Sequence, residues 1–192
     1  MNKTPIRPQA LAAILSMATP LAATADTFVV DSRHTFPSFE VSHIGFSTQR
    51  GRFDKTTGKL QLDAQKKTGA IHIVSAADSI DTGLAELEER LKKDDVFNIA
   101  KYPTIAYDAD KIVFEGDQPI RAEGQLTLLG VSKPLHLKIE HFHCGIHPIA
   151  LKNVCGADAV GIIKRSDFGM NAFLPVVGDE VKILVQVEAF KE

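Results

Sequence analysis

Tryptophan is absent from the 192 residues, and two tyrosines stand against eleven phenylalanines. An aromatic interior would therefore consist mostly of rings with no hydrogen-bonding group to satisfy. After the first two dozen residues no apolar run approaches the roughly 20 residues that a membrane-crossing helix requires. H-E-x-x-H, G-x-S-x-G and a glycine-rich phosphate loop are all missing, so no catalytic machinery is legible and no enzyme is expected. Basic clusters are few: Lys66-Lys67, Lys92-Lys93 and the pair Arg50/Arg52. Phosphate-backbone binding rests on concentrated Lys and Arg, so a nucleic-acid partner is not expected.

No acidic residue precedes Asp26, while Lys3 and Arg7 give the chain a basic start. Residues 10–21 are small and apolar, broken by Ser16, Thr19 and Pro20, and Ala23-Thr24-Ala25 follows with the small-x-small pattern of a cleavage site. The expectation is a cleaved signal peptide, residues 1–25, and one domain, residues 26–192, exported to the periplasm. With Lys3 and Arg7 gone, the 22 basic residues become 20 against 24 acidic ones, a net charge of −4.

The rest of the chain alternates with period two. Val181, Ile183, Val185 and Val187 share one strand face. Similar short strands are expected at 59–63, 70–74, 104–108, 111–115, 125–128 and 135–141. Turn chemistry separates them at 55–58, 66–69, 115–117 and 129–134. Short strands with hairpin-sized loops predict an antiparallel barrel or sandwich. One segment differs: Leu84, Leu87 and Leu91 have helical spacing, with Asp81 or Thr82 as the expected N-cap. Phe36, Phe39, Phe46 and Phe53 fall close together among Ser and His residues, which suits either a core or the mouth of a ligand pocket.

Cys144 and Cys155 enclose ten residues. In an exported chain such a pair is expected to form a disulfide. The alternative is a metal-binding or redox-accessory role, because His141, His143 and His147 stand beside the two thiols.

Several strings, in order, are similar to the YceI family of lipocalin-like, polyisoprenoid-binding periplasmic proteins. They are Phe28-Val29-Val30-Asp31-Ser32-Arg33-His34, the run from Phe39 to Ser47 with Arg50-Gly51-Arg52-Phe53, and Ser79-Ile80-Asp81-Thr82-Gly83. Leu91, Asp94, Asp95 and Phe97, then Tyr102-Pro103, continue the match. Gly124 to Val131 with Pro134, Arg165 to Met170 and Val177 to Val181 complete it. Two features depart: Val96-Phe97 replaces a commonly aromatic pair, and the segment 141–155 belongs to only part of the family.

The resemblance implies a mostly β fold, a lipocalin-like eight-stranded antiparallel barrel with one main helix. It also implies a long isoprenoid, an isoprenoid quinone or a fatty chain held in a hydrophobic channel, with no other cofactor and no resident metal. Phe39, Val41, Phe46, Phe53, Phe97, Ile105, Tyr107, Leu126, Phe168 and Met170 are the residues assigned to the tail. His34, His43, Arg165 and Asp167 are assigned to the polar head, which wants a cation or hydrogen-bond donor. A membrane redox protein and a second copy of the chain stay open as partners.

Overall fold

The computed structural model describes residues 25–192. The expected signal peptide therefore lies outside the described residues, apart from Ala25. The strands are β1 Asp26–Val30, β2 Phe36–His43, β3 Ser47–Phe53, β4 Thr56–Asp63, β5 Thr68–Ala76 and β6 Ile80–Asp81. The helix α1, Ala85–Leu91, follows. Then come β7 Thr104–Glu115, β8 Gln118–Leu128, β9 Val131–Ile146, β10 Asn153–Lys164 and β11 Val177–Lys191.

All pairings are antiparallel, and β1, β4, β5, β7, β8, β9, β10 and β11 form a closed ring. Closure comes from the chain's two ends: Phe28, Val29 and Val30 pair with Lys191, Phe190 and Ala189. The expected eight-stranded barrel with a single helix is what the chain forms, and closure gives each strand of the ring a partner on both sides.

The last strand does double duty. Its C-terminal end pairs with β1, while residues 177–186 pair with β2, to which β3 and then β6 attach. At the junction Thr35, fully buried, donates from Oγ1 to the Glu188 carbonyl at 3.2 Å and accepts the Glu188 N–H at 3.1 Å. A small hydroxyl thus satisfies backbone groups where one neighbouring strand ends and the next begins.

Three local expectations are corrected. The segments 104–108 and 111–115 are one strand, β7, because a bulge between Ala109 and Lys111 keeps the ladder running past the irregularity. The helix starts two or three residues later than expected, with Leu84 as N-cap and no side-chain cap. Asp81 and Thr82 instead organise the preceding turn: the Gly83 N–H donates to Asp81, and Glu88 accepts the Thr82 N–H at 2.9 Å. The expected turns at 55–58, 66–69 and 129–134 are shorter than read: residues 56–58 open β4, 68–69 open β5 and 131–134 open β9. Leu129 and Gly130, both at positive φ (52° and 72°), make the two-residue β8–β9 hairpin whose twist suits positive φ at both positions.

Inward-facing residues form one main core cluster including Val96, Tyr107, Leu126, Leu128, Leu135, Leu137, Phe168 and Met170. The upper end of the barrel is where β10 finishes and β11 begins. There lie α1, the β2–β3 turn and the loop 165–176. The lower end carries the turns 64–67 and 116–117 and the β9–β10 loop.

A candidate ligand cavity

The inward face of β10 explains why the barrel is not filled. Ala157 and Ala159 stand where a tightly packed strand would carry Val or Leu, and Ala122 on β8 is similarly small and 1% exposed. At Gly161, by contrast, Leu135 and Leu137 take up the room of a side chain, since a Cβ there would lie 2.9 Å from methyl carbons of both. The alanines leave a cavity of about 480 Å³ running along the barrel. Its wall draws on all eight strands, from Leu62, Pro119, Phe142 and Cys155 near the lower end to α1 and Met170 near the upper.

Aromatic rings cluster toward the upper end. Phe53 packs edge-on against Phe97 with centroids 5.7 Å apart and lies 6.2 Å from Phe39. The phenol of Tyr107 is buried in the wall, with its hydroxyl within 3.2 Å of the Ala122 carbonyl and 3.1 Å of the Leu135 carbonyl. Loss of hydration pushes its pKa up, assisted by the charge of Glu123, so it remains a neutral donor.

The formal charges of the wall are of one sign. Among the described residues Arg50, Arg90 and Arg165 line the cavity, together with His43, and no Asp or Glu does. All three arginines lie at the upper end. Arg50 donates to Glu40 at 2.7 Å, and Arg90 donates to Asp95 at 2.7 Å while its guanidinium sits 4.7 Å from the Phe173 ring centroid.

Arg165 is different: only 6% exposed, it spends its donors on backbone carbonyls. Nε donates to Gly178 (2.8 Å), Nη1 to Met170 (2.9 Å) and Ala172 (2.8 Å), and Nη2 to Val177 (3.0 Å). Burial lowers the Arg165 pKa, and the nearby Asp179 carboxylate opposes that shift. Asp179 itself accepts the backbone N–H and the hydroxyl of Ser166.

Eight of the ten residues assigned to the tail lie on the wall: Phe39, Val41, Phe53, Phe97, Ile105, Tyr107, Leu126 and Met170. Phe46 does not. It is 90% exposed on the β2–β3 turn, where the strand has ended and alternation no longer decides which way a ring points. Phe168 is buried at 3% but packs into the core from a 3-10 turn without reaching the cavity.

Of the four head residues, His43 and Arg165 are on the wall. His34 is exposed beside β1, hydrogen-bonded to Asp31 at 2.9 Å, and Asp167 is exposed on the 3-10 turn, so neither reaches the cavity. Arg50 and Arg90 were missed, as was the face Val181, Ile183, Val185 and Val187, which was legible as a strand face but not as cavity wall. The legible signal for Arg50 was a cation on the same strand as Phe53 and close in sequence to Phe46.

Cys144 and Cys155 form a disulfide across directly paired positions of β9 and β10, as expected, and Cys155 contributes to the lower wall. The bridge takes both sulfur donors from the alternative metal reading. His147 is engaged as well, its Nδ1 accepting the backbone N–H groups of Ile149 and Ala150. Among the described residues no three His, Cys, Asp or Glu side chains converge as metal ligands.

A closed antiparallel barrel around a long apolar cavity defines a class: small β-barrels with an unfilled interior. Within that class the chain belongs to the YceI-like family, whose domain model matches residues 28–189. Protein YceI of Salmonella arizonae is 29% identical over 174 residues, covering 89% of this chain and 90% of that protein. Among solved structures, BcnA of Burkholderia cenocepacia is similar with a TM-score of 0.71 and 21% identity, over 83% of this chain and 99% of that one. A polyisoprenoid binding domain from Saccharophagus degradans is similar at a TM-score of 0.64 and 16% identity, over 86% of this chain and 98% of that one. At these identities the two structural likenesses speak for the fold.

Proposed function

We propose that the protein is a periplasmic carrier for a long isoprenoid, an isoprenoid quinone or a similar fatty chain. The tail lies along the barrel and the polar head sits at the upper end near Arg165, His43, Arg50 and Arg90. One observation carries the reading: an apolar cavity of about 480 Å³ whose lining charges are all cationic and gathered at one end. A slender amphiphile with an electron-rich or anionic head has the complementary shape and polarity.

Energetics support an occupied cavity. An unfilled apolar cavity leaves its lining without the dispersion contacts of a packed core, so an apolar guest that supplies them is favoured. Each methylene that moves from water into the channel contributes about 0.8 kcal/mol. The printed description of the Saccharophagus degradans neighbour as a polyisoprenoid binding domain supports the same ligand class. The basic, then apolar, then small-residue start of the chain and the disulfide both suit an oxidising compartment outside the cytoplasm. Binding, without chemistry on the guest, accounts for these features.

The test is mass spectrometry of an organic-solvent extract from protein purified out of a periplasm, beside a mock purification. A single long-chain lipid or quinone in near-stoichiometric amount is the expected result. A blank extract, together with failure to bind added polyprenyl quinone, would overturn the carrier reading.

A further inference from the structure

The upper mouth of the cavity is bordered by apolar side chains that the fold leaves in water. Phe46 is 90% exposed and Ile44 50% on the β2–β3 turn; Phe173 (54%) and Val176 (55%) occupy the loop leading into β11. The two segments are one surface, because the Ile44 N–H donates to the Val176 carbonyl at 3.0 Å and His43 pairs with Val177. Phe173 belongs to both the rim and the cavity wall. Arg165, through its bonds to Ala172 and Val177, is the buried strut that holds the loop in place.

The two rim segments themselves carry no acidic residue. Residues 41–53 contain His43, Arg50 and Arg52 and no acid, and residues 168–178 contain no charged side chain at all. Arg50 and Arg52 are answered only by acids outside these segments, namely Glu40, Asp54 and Asp81. Backbone groups on the rim are satisfied internally: Phe46 N–H to His43, Ile44 N–H to Val176, and Val177 N–H to Phe173. The rim presents rings and methyl groups that run on into the apolar wall of the cavity at Phe173.

We propose that this rim is a membrane-docking surface, and that Phe46, Ile44, Phe173 and Val176 enter the interfacial layer of a bilayer containing anionic lipid. The inference rests on the carrier reading, since a long apolar cargo resides in a bilayer and must pass between it and the cavity without crossing water. Docking the mouth brings the two apolar phases together, and Arg50, four residues past Phe46 with an exposed side chain, can exchange Glu40 for an anionic headgroup. A tail can then slide into the barrel while its head stays at the level of Arg165 and His43.

The chain's lack of tryptophan makes the test direct. Phe46→Trp places a single indole on the rim at a position with no cavity contact, and Ile149→Trp places one on the β9–β10 loop, 87% exposed at the opposite end. Vesicles of phosphatidylethanolamine with a minority of phosphatidylglycerol are added to each. The expected result is a blue-shifted emission and quenching by brominated lipid for Phe46→Trp only, weakened by salt and by omission of phosphatidylglycerol.

In flotation, Phe46→Ser is expected to reduce vesicle partitioning about tenfold, the loss of one ring's burial, with lipid content by mass spectrometry unchanged. Emission from Phe46→Trp that ignores vesicles, or a shift confined to or equally strong in Ile149→Trp, would overturn the proposal. So would a concentration-dependent shift without vesicles, which would assign the rim to a second copy of the chain. Loss of the carrier reading is read separately: protein that holds no extractable lipid and binds no quinone fails there, whatever the fluorescence shows.

Discussion

Ala159→Phe separates an open cavity from a filled core by sign. Ala159 is 7% exposed, midway along β10, and its methyl group is part of the cavity wall. In ligand-free protein the new ring enters unfilled space and removes its apolar surface from water. The expected gain is about 1.5–3 kcal/mol, equivalent to a rise in Tm of roughly 5 °C for a chain of this size. In a close-packed interior the same substitution would overfill the core and lower stability by about 1–3 kcal/mol. The ring also stands where the guest's tail would lie. Displacing about four methylenes, at about 0.8 kcal/mol each, weakens binding about 200-fold.

The assay is thermal unfolding of delipidated wild type and variant, with and without added polyprenyl quinone. Wild type should show a quinone-dependent rise in Tm, reaching about 2.7 kcal/mol of stabilisation at a hundredfold excess over Kd, and the variant should show almost none. A lower Tm for ligand-free Ala159→Phe, with an undiminished quinone response, would refute the reasoning about the cavity.

Arg165→Met should lower stability by about 3–5 kcal/mol, because four carbonyls lose a buried cationic donor; Arg165→Lys should recover little, since a point ammonium cannot reach carbonyls in four directions. Urea unfolding measures both, and a variant within 1 kcal/mol of wild type (about the worth of one neutral hydrogen bond) would contradict the strut role. Reducing the Cys144–Cys155 bridge, or replacing both residues by Ser, should cost about 3 kcal/mol in the chain-entropy model while leaving quinone binding intact; equal urea midpoints with and without reductant would count against it.

Acid should destabilise the protein in a defined window. Glu123 is held down from 4.5 to about 2 by its bonds to Lys111 and then Arg121, and Asp31 is held low chiefly by Arg33. Because these folded-state values lie below the unfolded ones, their contribution is complete above the unfolded pKa and is lost as pH falls through the folded one. The urea midpoint should therefore hold from neutrality to about pH 5 and fall from there toward about pH 2, with Glu123→Gln flattening that fall; a midpoint independent of pH over the acid range would refute the assignment.

Alternation at Val181, Ile183, Val185 and Val187 was enough to place a strand and its buried face, because a pleated strand sends every second side chain to one side. The resemblance assigned Phe39, Val41, Tyr107, Leu126 and Phe46 to the tail; the first four lie on pleated strands and face the cavity, while Phe46 sits one residue before β3, where a turn has replaced the pleat. Helical spacing found α1 but misjudged its start. Asp81 and Thr82 are both good N-caps by residue type, and only the turn they build shows that they serve the loop instead. His34 and Asp167 were polar residues in family-like strings, yet each lies outside the cavity because its backbone has left the barrel wall.

By itself the sequence determined the local conformations and pairing partners within reach. The period-two strands, the Leu129-Gly130 hairpin and the two cysteines are set by side-chain size, backbone preference and compartment chemistry. Only the tertiary structure decided that the chain's first and last strands meet, and that small residues on β10 and β8 share one lumen. It also decided that three arginines distant in sequence gather at one mouth. Those outcomes depend on which strands become neighbours when the barrel closes, and closure is a property of the whole ring of strands, carried by no single segment.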